Sequence, residues 1–198
     1  MPKISKPADS DTSAALSSNV VIRNYRNQTI VSAVTRPRKS NSHDRQRTIN
    51  RFREANKWAK NELKNPETRA LYAKGVNSRL TNPHTVAVSD YLQAPVIHYI
   101  NLKEVTGSIG DPIRVKATDN FRVTQLVIVI TNAKGHIVEE GFATQYPRKP
   151  SMWLYRLTLE HPDIVTCKIL AMAWDLPNNK TRMTGNYQQS LLYPIGHK

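Results

Sequence analysis

Val20, Val21 and Ile22 open an apolar stretch in which Val21, Arg23 and Tyr25 alternate with Ile22, Asn24 and Arg26. β-forming residues resume at Thr29-Ile30-Val31 after Asn27-Gln28. Alternation on both sides of a polar pair predicts a small hairpin over 20–34. A lone hairpin is marginal in water and needs a surface to lie against. Residues 1–19, rich in Ser, Asp, Ala and Lys and without periodicity, are expected to be disordered until a partner orders them. TRPRKSNSHDRQR (35–47) is expected to be a basic linker.

The period then changes to that of a helix. A first helix is predicted from about Asp44 to Lys64, with Ile49, Phe52, Ala59 and Leu63 on the flank that wants a core. Asn65 is an N-cap residue, Pro66 suits the first helical position and Glu67 favours the positive end of the helix dipole. That second helix carries Leu71 and Tyr72 and stops at Gly75. Asn82-Pro83 repeats the start signal for a third helix, with Val86, Ala87, Val88, Tyr91 and Leu92 as its apolar residues, ending before Pro95. Three short helices make a thin core, so they are expected to pack against the C-terminal part of the chain.

From Pro95 the period is two. Strands are predicted at Val96–Leu102, Ile113–Thr118, Val123–Thr131, His136–Thr144, Trp153–Thr158, Val165–Trp174 and Tyr187–Tyr193. Turn signals separate them at Gly107–Pro112, Asp119-Asn120, Asn132–Gly135, Pro147–Pro150 and Asp175–Asn179. Seven short strands in about 100 residues is the pattern of a β-sandwich. The fold class is therefore α+β, in three parts: a basic arm with a hairpin (1–43), a three-helix segment (44–94) and a seven-stranded antiparallel sandwich (95–198).

Within the last part, DPIRVKATD (111–119), Phe121-Arg122-Val123 and AMAWDLPNN (171–179) resemble bacterial immunoglobulin-like (Big-type) domains. Such domains often place A-x-D-x-x-x-N at the turn between the last two strands, matched here by Ala173, Asp175 and Asn179. The resemblance covers roughly residues 95–195 and implies an immunoglobulin-like sandwich serving as a spacer or docking surface. A single copy preceded by a basic arm and helices departs from an exported tandem array. The whole chain also looks like uncharacterised small bacterial or phage-associated proteins of this layout, which implies no particular function.

Charge changes the picture most. The 198 residues carry 29 Lys and Arg against 15 Asp and Glu, a net +14. Residues 1–65 alone hold 14 basic against 5 acidic residues, a net +9, followed by +1 over 66–100 and +4 over 101–198. A basic N-terminal third before a near-neutral body is a layout of proteins that hold nucleic acid. The single cysteine, Cys167, excludes an intramolecular disulfide and is expected to be a small buried thiol within a strand. No apolar run approaches the ~18 residues of a membrane span, and no secretory signal is seen, so a cytoplasmic or particle-associated location is expected.

Candidate chemistry is sparse. None of the six histidines falls in a zinc-binding spacing, and Gly107–Gly110 lacks the Lys and flanking elements of a phosphate loop. Glu139 and Glu140, adjacent in a strand, point to opposite faces and cannot form a dyad. Asp119 and Asp175 lie in turns, but two isolated aspartates fall short of the six to eight oxygens calcium takes, so Asx-turns are their expected role. No enzyme, cofactor or metal site is expected.

What remains is the row Arg53, Lys57, Lys60 and Lys64, spaced four, three, four, which forms one line roughly 16 Å long on the first helix. Arg45, Arg47 and Arg51 extend the positive surface upstream, and Arg36, Arg38 and Lys39 add charge in the linker. The row and all of these but Arg51 are the candidate nucleic-acid contacts. Glu54 and Glu62 are expected to lie away from the row. Trp58 is the one aromatic on the polar side, available for packing or for stacking on a base. An acidic protein surface, or no partner beyond solvent, would suit the same row, since Lys and Arg are good helix formers. The expected function is a non-enzymatic binding protein, with arm and helix on nucleic acid or another polyanion without base specificity, and the sandwich as docking body. The alternative is a structural component of a larger particle, such as a phage virion, whose arm contacts neighbouring subunits.

Overall fold

The computed structural model describes residues 20–25, 28–33, 43–185 and 187. The chain divides into two units, Met1–Gln46 and Arg47–Lys198. In the first, β1 (Val20–Tyr25) and β2 (Gln28–Ala33) pair antiparallel, from Val20↔Ala33 to Tyr25↔Gln28, as the alternation predicts. Residues 1–19, for which disorder is expected, and the basic residues Arg36, Arg38 and Lys39 lie outside the described residues.

Three helices come next: α1 (His43–Glu62), α2 (Pro66–Ala73) and α3 (Pro83–Leu92). The start signals act as expected. The Asn65 side chain accepts from the Glu67 backbone N–H at 2.8 Å. Asn82 and Thr85 form a reciprocal capping box that satisfies two of the orphan donors at the start of α3. Among the described residues no helix is long and apolar enough to cross a membrane.

The buried side of α1 matches expectation at Ala59 and Leu63 and departs from it at Ile49 and Phe52. Ala55 and Ala59 are its fully buried residues, with Trp58 and Leu63 partly buried beside them. Ile49 and Phe52 are exposed, Phe52 by 54%. The seam is thus rotated roughly 70° from the flank read from sequence, at 100° per residue. Small side chains decide this. Two alanines let α1 approach closely, and the space is filled by Trp58 edge-on to Tyr72 (6.3 Å between ring centroids) and tilted against Tyr91 (5.3 Å).

Among the described residues beyond Pro95 lie eight strands, against the seven expected: β3 (Val96–Asn101), β4 (Pro112–Thr118), β5 (Val123–Thr131), β6 (Ile137–Phe142), β7 (Thr144–Tyr146), β8 (Lys149–Arg156), β9 (Lys168–Asp175) and β10 (Lys180–Gly185). They form two four-stranded antiparallel sheets, β10-β9-β5-β6 and β3-β4-β8-β7. The protein is therefore mixed α+β. The extra strand arises at Ala143, where a run expected to be one strand changes sheets. Phe142 still pairs with Val127 on β5, Ala143 is buried, and Thr144 pairs with Leu154 on β8. Val165 opens no strand; Ile164–Thr166 form a short 3₁₀ turn and β9 begins after Cys167. Cys167 is buried as expected, though ahead of the strand rather than within it. Of the expected last strand only Tyr187 is described, and it lies in no strand. The tight turn after Asp175 starts a strand at Lys180 that is not among those expected, and residues 188–193 of the expected last strand lie outside the described residues.

Alternation places the core between the sheets. On β4 the inward residues are Ile113, Val115 and Ala117; on β9 they are Ile169, Ala171 and Ala173. Together with Leu126, Ile128 and Ile130 of the central strand β5 and Trp153 and Tyr155 of β8 they make one hydrophobic cluster. The helices form a second cluster that is completed by two residues from the turns of the sheets, Phe121 and Leu176. Phe121 stacks on Tyr72 at 4.6 Å. Three thin helices are thus buried against the end of the two-sheet body, as their small core requires.

Gly75 ends α2 as expected, but for a different reason from a left-handed turn. A Cβ there would come within 2.9 Å of both the Phe121 ring and Val86 Cγ1. Gly75→Ala is expected to lower unfolding free energy by about 1–3 kcal/mol, the range for an overpacked core site. Urea denaturation checks this, and Phe121→Leu in the same chain should recover part of the loss through non-additive coupling.

Candidate functional site

The basic row stands on the side of α1 opposite the Ala55–Ala59 seam, because seven- and four-residue spacings from Arg53 return to one face while the alanines lie half a turn away. Arg53, Lys57, Lys60 and Lys64 are all exposed, as are Arg45 and Arg47 one to two turns upstream. Among the described residues no ion pair involves any of the row. Lys64 Nζ donates to Asn61 Oδ1 at 3.3 Å.

Lys57, Lys60 and Lys64 line an open groove of about 500 Å³ together with Glu54, Trp58 and Asn61. Glu54 is therefore nearer the row than its sequence position suggests, a turn from Lys57 on the same groove wall. Trp58 packs its ring on Tyr72 and Tyr91, one of the two roles open to it, and also forms part of the groove. Arg53 lines no groove with them, and Arg47 opens instead onto a neighbouring hollow of about 400 Å³ with Asn50, Arg51, Glu54, Tyr91 and Asn179. Arg51 is not a free cation on this surface. Its guanidinium donates to the Leu92 carbonyl at 2.8 Å, one of the orphan acceptors at the end of α3.

Two polar clusters lie away from the basic row. The first is centred on Glu139, which faces inward on β6 while Glu140 faces solvent, as their adjacency in a strand requires. Its Oε1 accepts from Tyr155 Oη (2.6 Å), from the Thr158 N–H (2.7 Å) and from Thr158 Oγ1 (2.9 Å). His161 Nε2 donates to its Oε2 at 2.5 Å. Burial alone would raise this carboxyl; the bonds from Tyr155, His161 and Thr158 outweigh it and bring it down to about 2. This cluster ties β6, β8 and the loop before β9 together.

The second cluster went unrecognised in the sequence because its parts come from three elements. Asp90 on α3, Asp119 after β4 and Asp175 at the end of β9 each place a carboxylate oxygen so that all three lie within 4.8 Å of one another. Asp90 is 0% exposed and Asp175 3%. A signal was present: Asp90 follows Val86 by one helical turn, Asp119 continues the inward series Ile113-Val115-Ala117, and Asp175 continues Ile169-Ala171-Ala173. Asp119 makes the expected Asx-turn, its Oδ2 accepting from the N–H groups of Phe121 and Arg122. Asp175 accepts from Asn179 through both backbone and side chain. Asn179 in turn donates to the carbonyls of Asp90 and Tyr91, closing the end of α3 onto the body. Burial raises the Asp90 carboxyl to about 8 against the lowering effect of the Tyr72 hydroxyl, with Asp119 and Asp175 pushing it further up.

Elsewhere, the N–H groups of Thr106, Gly107 and Ser108 converge on Asp111 Oδ2, so the Gly107–Gly110 segment holds its own carboxylate.

No family model matches the chain, and no curated protein is significantly similar to it. One solved structure overlaps part of it: an engineered protein from a structural genomics consortium, 17% identical, with a TM-score of 0.32 over 46% of this chain and 19% of that one. At that similarity nothing about fold or function is carried across.

Glu139 generates an acid-stability prediction. Its carboxyl lies below the ordinary 4.5 in the folded chain, so the stability it contributes is complete above pH 4.5 and is lost as pH falls towards 2. Urea midpoints measured from pH 7 to pH 2.5 should fall most steeply in that window, and Glu139→Gln should flatten that part of the curve.

Proposed function

We propose that the protein is a non-enzymatic binding protein that holds nucleic acid on the outer face of α1. The contact is electrostatic and without base specificity. The observation that carries this reading is the groove in which Lys57, Lys60 and Lys64 stand open to solvent beside part of the Trp58 surface. An unpaired row of cations along a helix matches a phosphate backbone in charge and in length. An aromatic at its edge suits unpaired bases, which stack on any exposed ring face. Arg53 and Arg47 widen the positive surface, and Arg36, Arg38, Lys39 and Arg45 belong to the same reading through their charge. The two-sheet body, read as immunoglobulin-like from its turn motifs, would act as a docking body for other proteins.

Glu54 on the groove wall weakens the field there by one charge, so modest affinity is in keeping with this surface. Four phosphates neutralised by Arg53, Lys57, Lys60 and Lys64 correspond to a slope near ~−3.6 in log affinity against log salt. Fluorescence anisotropy with random-sequence single- and double-stranded probes measures it. Replacing Lys57, Lys60 and Lys64 together by Gln should bring the slope to about −0.9 while leaving stability nearly unchanged, since all three are surface positions. A salt-independent affinity, or an unaltered slope in the triple variant, would refute the assignment to α1. Purification with and without nuclease separates the particle-component alternative, which requires a large nuclease-resistant assembly with little affinity for free nucleic acid.

A further inference from the structure

The aspartates at the junction of helices and sheets raise a problem of charge. Three carboxylates meet within 4.8 Å, two of them almost wholly buried. Like charges that close oppose one another strongly, and burial removes the water that would otherwise screen them. Neither of the ion pairs among the described residues reaches this cluster.

The hydrogen bonds divide the oxygens into two sets. Asp90 Oδ2 is taken by the Tyr72 hydroxyl at 2.6 Å, and Asp119 Oδ2 by two backbone N–H groups. Asp90 Oδ1 and Asp119 Oδ1 are buried and have no hydrogen-bond partner. Leaving a buried carboxylate oxygen unpaired is costly, and such groups in a native fold are rare. Asp90 and Asp119 are each held through one oxygen by neutral donors, with the other left over, while both oxygens of Asp175 accept from Asn179. A fully buried side chain with one oxygen left over, in the company of two more carboxylates, is what an ion-binding site presents.

We propose that Asp90, Asp119 and Asp175 form a binding site for a hard divalent cation, Ca²⁺ by preference. The donor set is all oxygen, which excludes a preference for soft metals. Oxygens on opposite sides of Ca²⁺, each at ~2.3–2.6 Å, lie about 4.6–5.2 Å apart, so a set spanning up to 4.8 Å fits around one such ion. Mg²⁺ keeps several of its waters and is held poorly by a dedicated protein cage. Half-buried Asp119 is the side from which the ion would enter, and water would fill its remaining positions. The ligands come from α3, from the β4–β5 turn and from the end of β9, so the ion would lock the helices that carry the basic row onto the two-sheet body.

The test uses the full chain, stripped with EDTA and then titrated with CaCl₂ or MgCl₂. Calorimetry should find one Ca²⁺ per chain, bound more tightly than Mg²⁺. At a hundred times the dissociation constant the melting temperature should rise by roughly 5–10 °C. Asp90→Asn should weaken binding at least tenfold and at least halve the calcium-dependent shift at the same calcium concentration, whatever it does to the melting temperature without calcium. Asp119→Asn, at a half-buried position, provides the same test if Asp90→Asn does not fold. Glu140→Gln, an exposed carboxylate on β6, should leave the calcium response intact. A melt indifferent to calcium would overturn the proposal and would mean that a proton shared between Asp90 and Asp119 replaces the ion. A calcium response undiminished in both aspartate variants would overturn it equally, by assigning the effect to scattered surface carboxylates.

Discussion

Tyr72 is the point at which helices and sheets hold each other. Its ring stacks on Phe121 from the β4–β5 turn and meets Trp58 of α1 edge-on, while its hydroxyl donates to Asp90 of α3. α2 is only eight residues long and α3 ten, too short to be stable without tertiary contacts. The Tyr72 ring is the contact shared by all three helices and the β4–β5 turn, with the Arg51–Leu92 and Asn179 hydrogen bonds adding to its hold on α1 and α3. Aromatic pairs of this kind contribute about 0.5–1.5 kcal/mol each beyond their buried area. Gly75 makes room for the Phe121 side of this stack, and the Ala55–Ala59 seam makes room on the α1 side.

The same junction concentrates negative charge beneath a helix whose outer face is positive. Asp90 is drawn inside by the helical periodicity that buries Val86, and Asp119 and Asp175 by the alternation that buries the core residues preceding them. A polar junction in place of an apolar one gives the helix end defined partners. Asn179 and Arg51 between them take the carbonyls of Asp90, Tyr91 and Leu92, leaving α3 little freedom to slide. The stability lost in acid is held elsewhere, at Glu139, where four hydrogen bonds hold a carboxylate ionised.

Local rules were legible residue by residue. Asn65 and Asn82 before proline mark helix starts, and Asn132–Gly135 marks a hairpin whose turn Gly135 adopts a positive φ of 83°. The alternation over Ile113–Ala117 and Ile169–Ala173 identifies the inward faces. These succeed because caps and pleats are decided within a few residues. The flank of α1 was misread at Ile49 and Phe52, which were weighed by hydrophobicity, whereas close approach to two tyrosines favours small side chains such as Ala55 and Ala59. The division at Ala143 was hidden because a strand that changes partners has the same alternation as one that does not.

The amino-acid sequence by itself determined the basic first third, the three helix starts, the turns between strands and the spacing that puts four cations in line. Those are consequences of charge, capping and backbone preference, which act locally. Only the tertiary structure decided which side of α1 is covered, how eight strands divide into two sheets, and that Asp90, Asp119 and Asp175 meet. Neighbours separated by 29 and 56 residues along the chain are brought together by the packing of helices on turns, and no local rule encodes that distance.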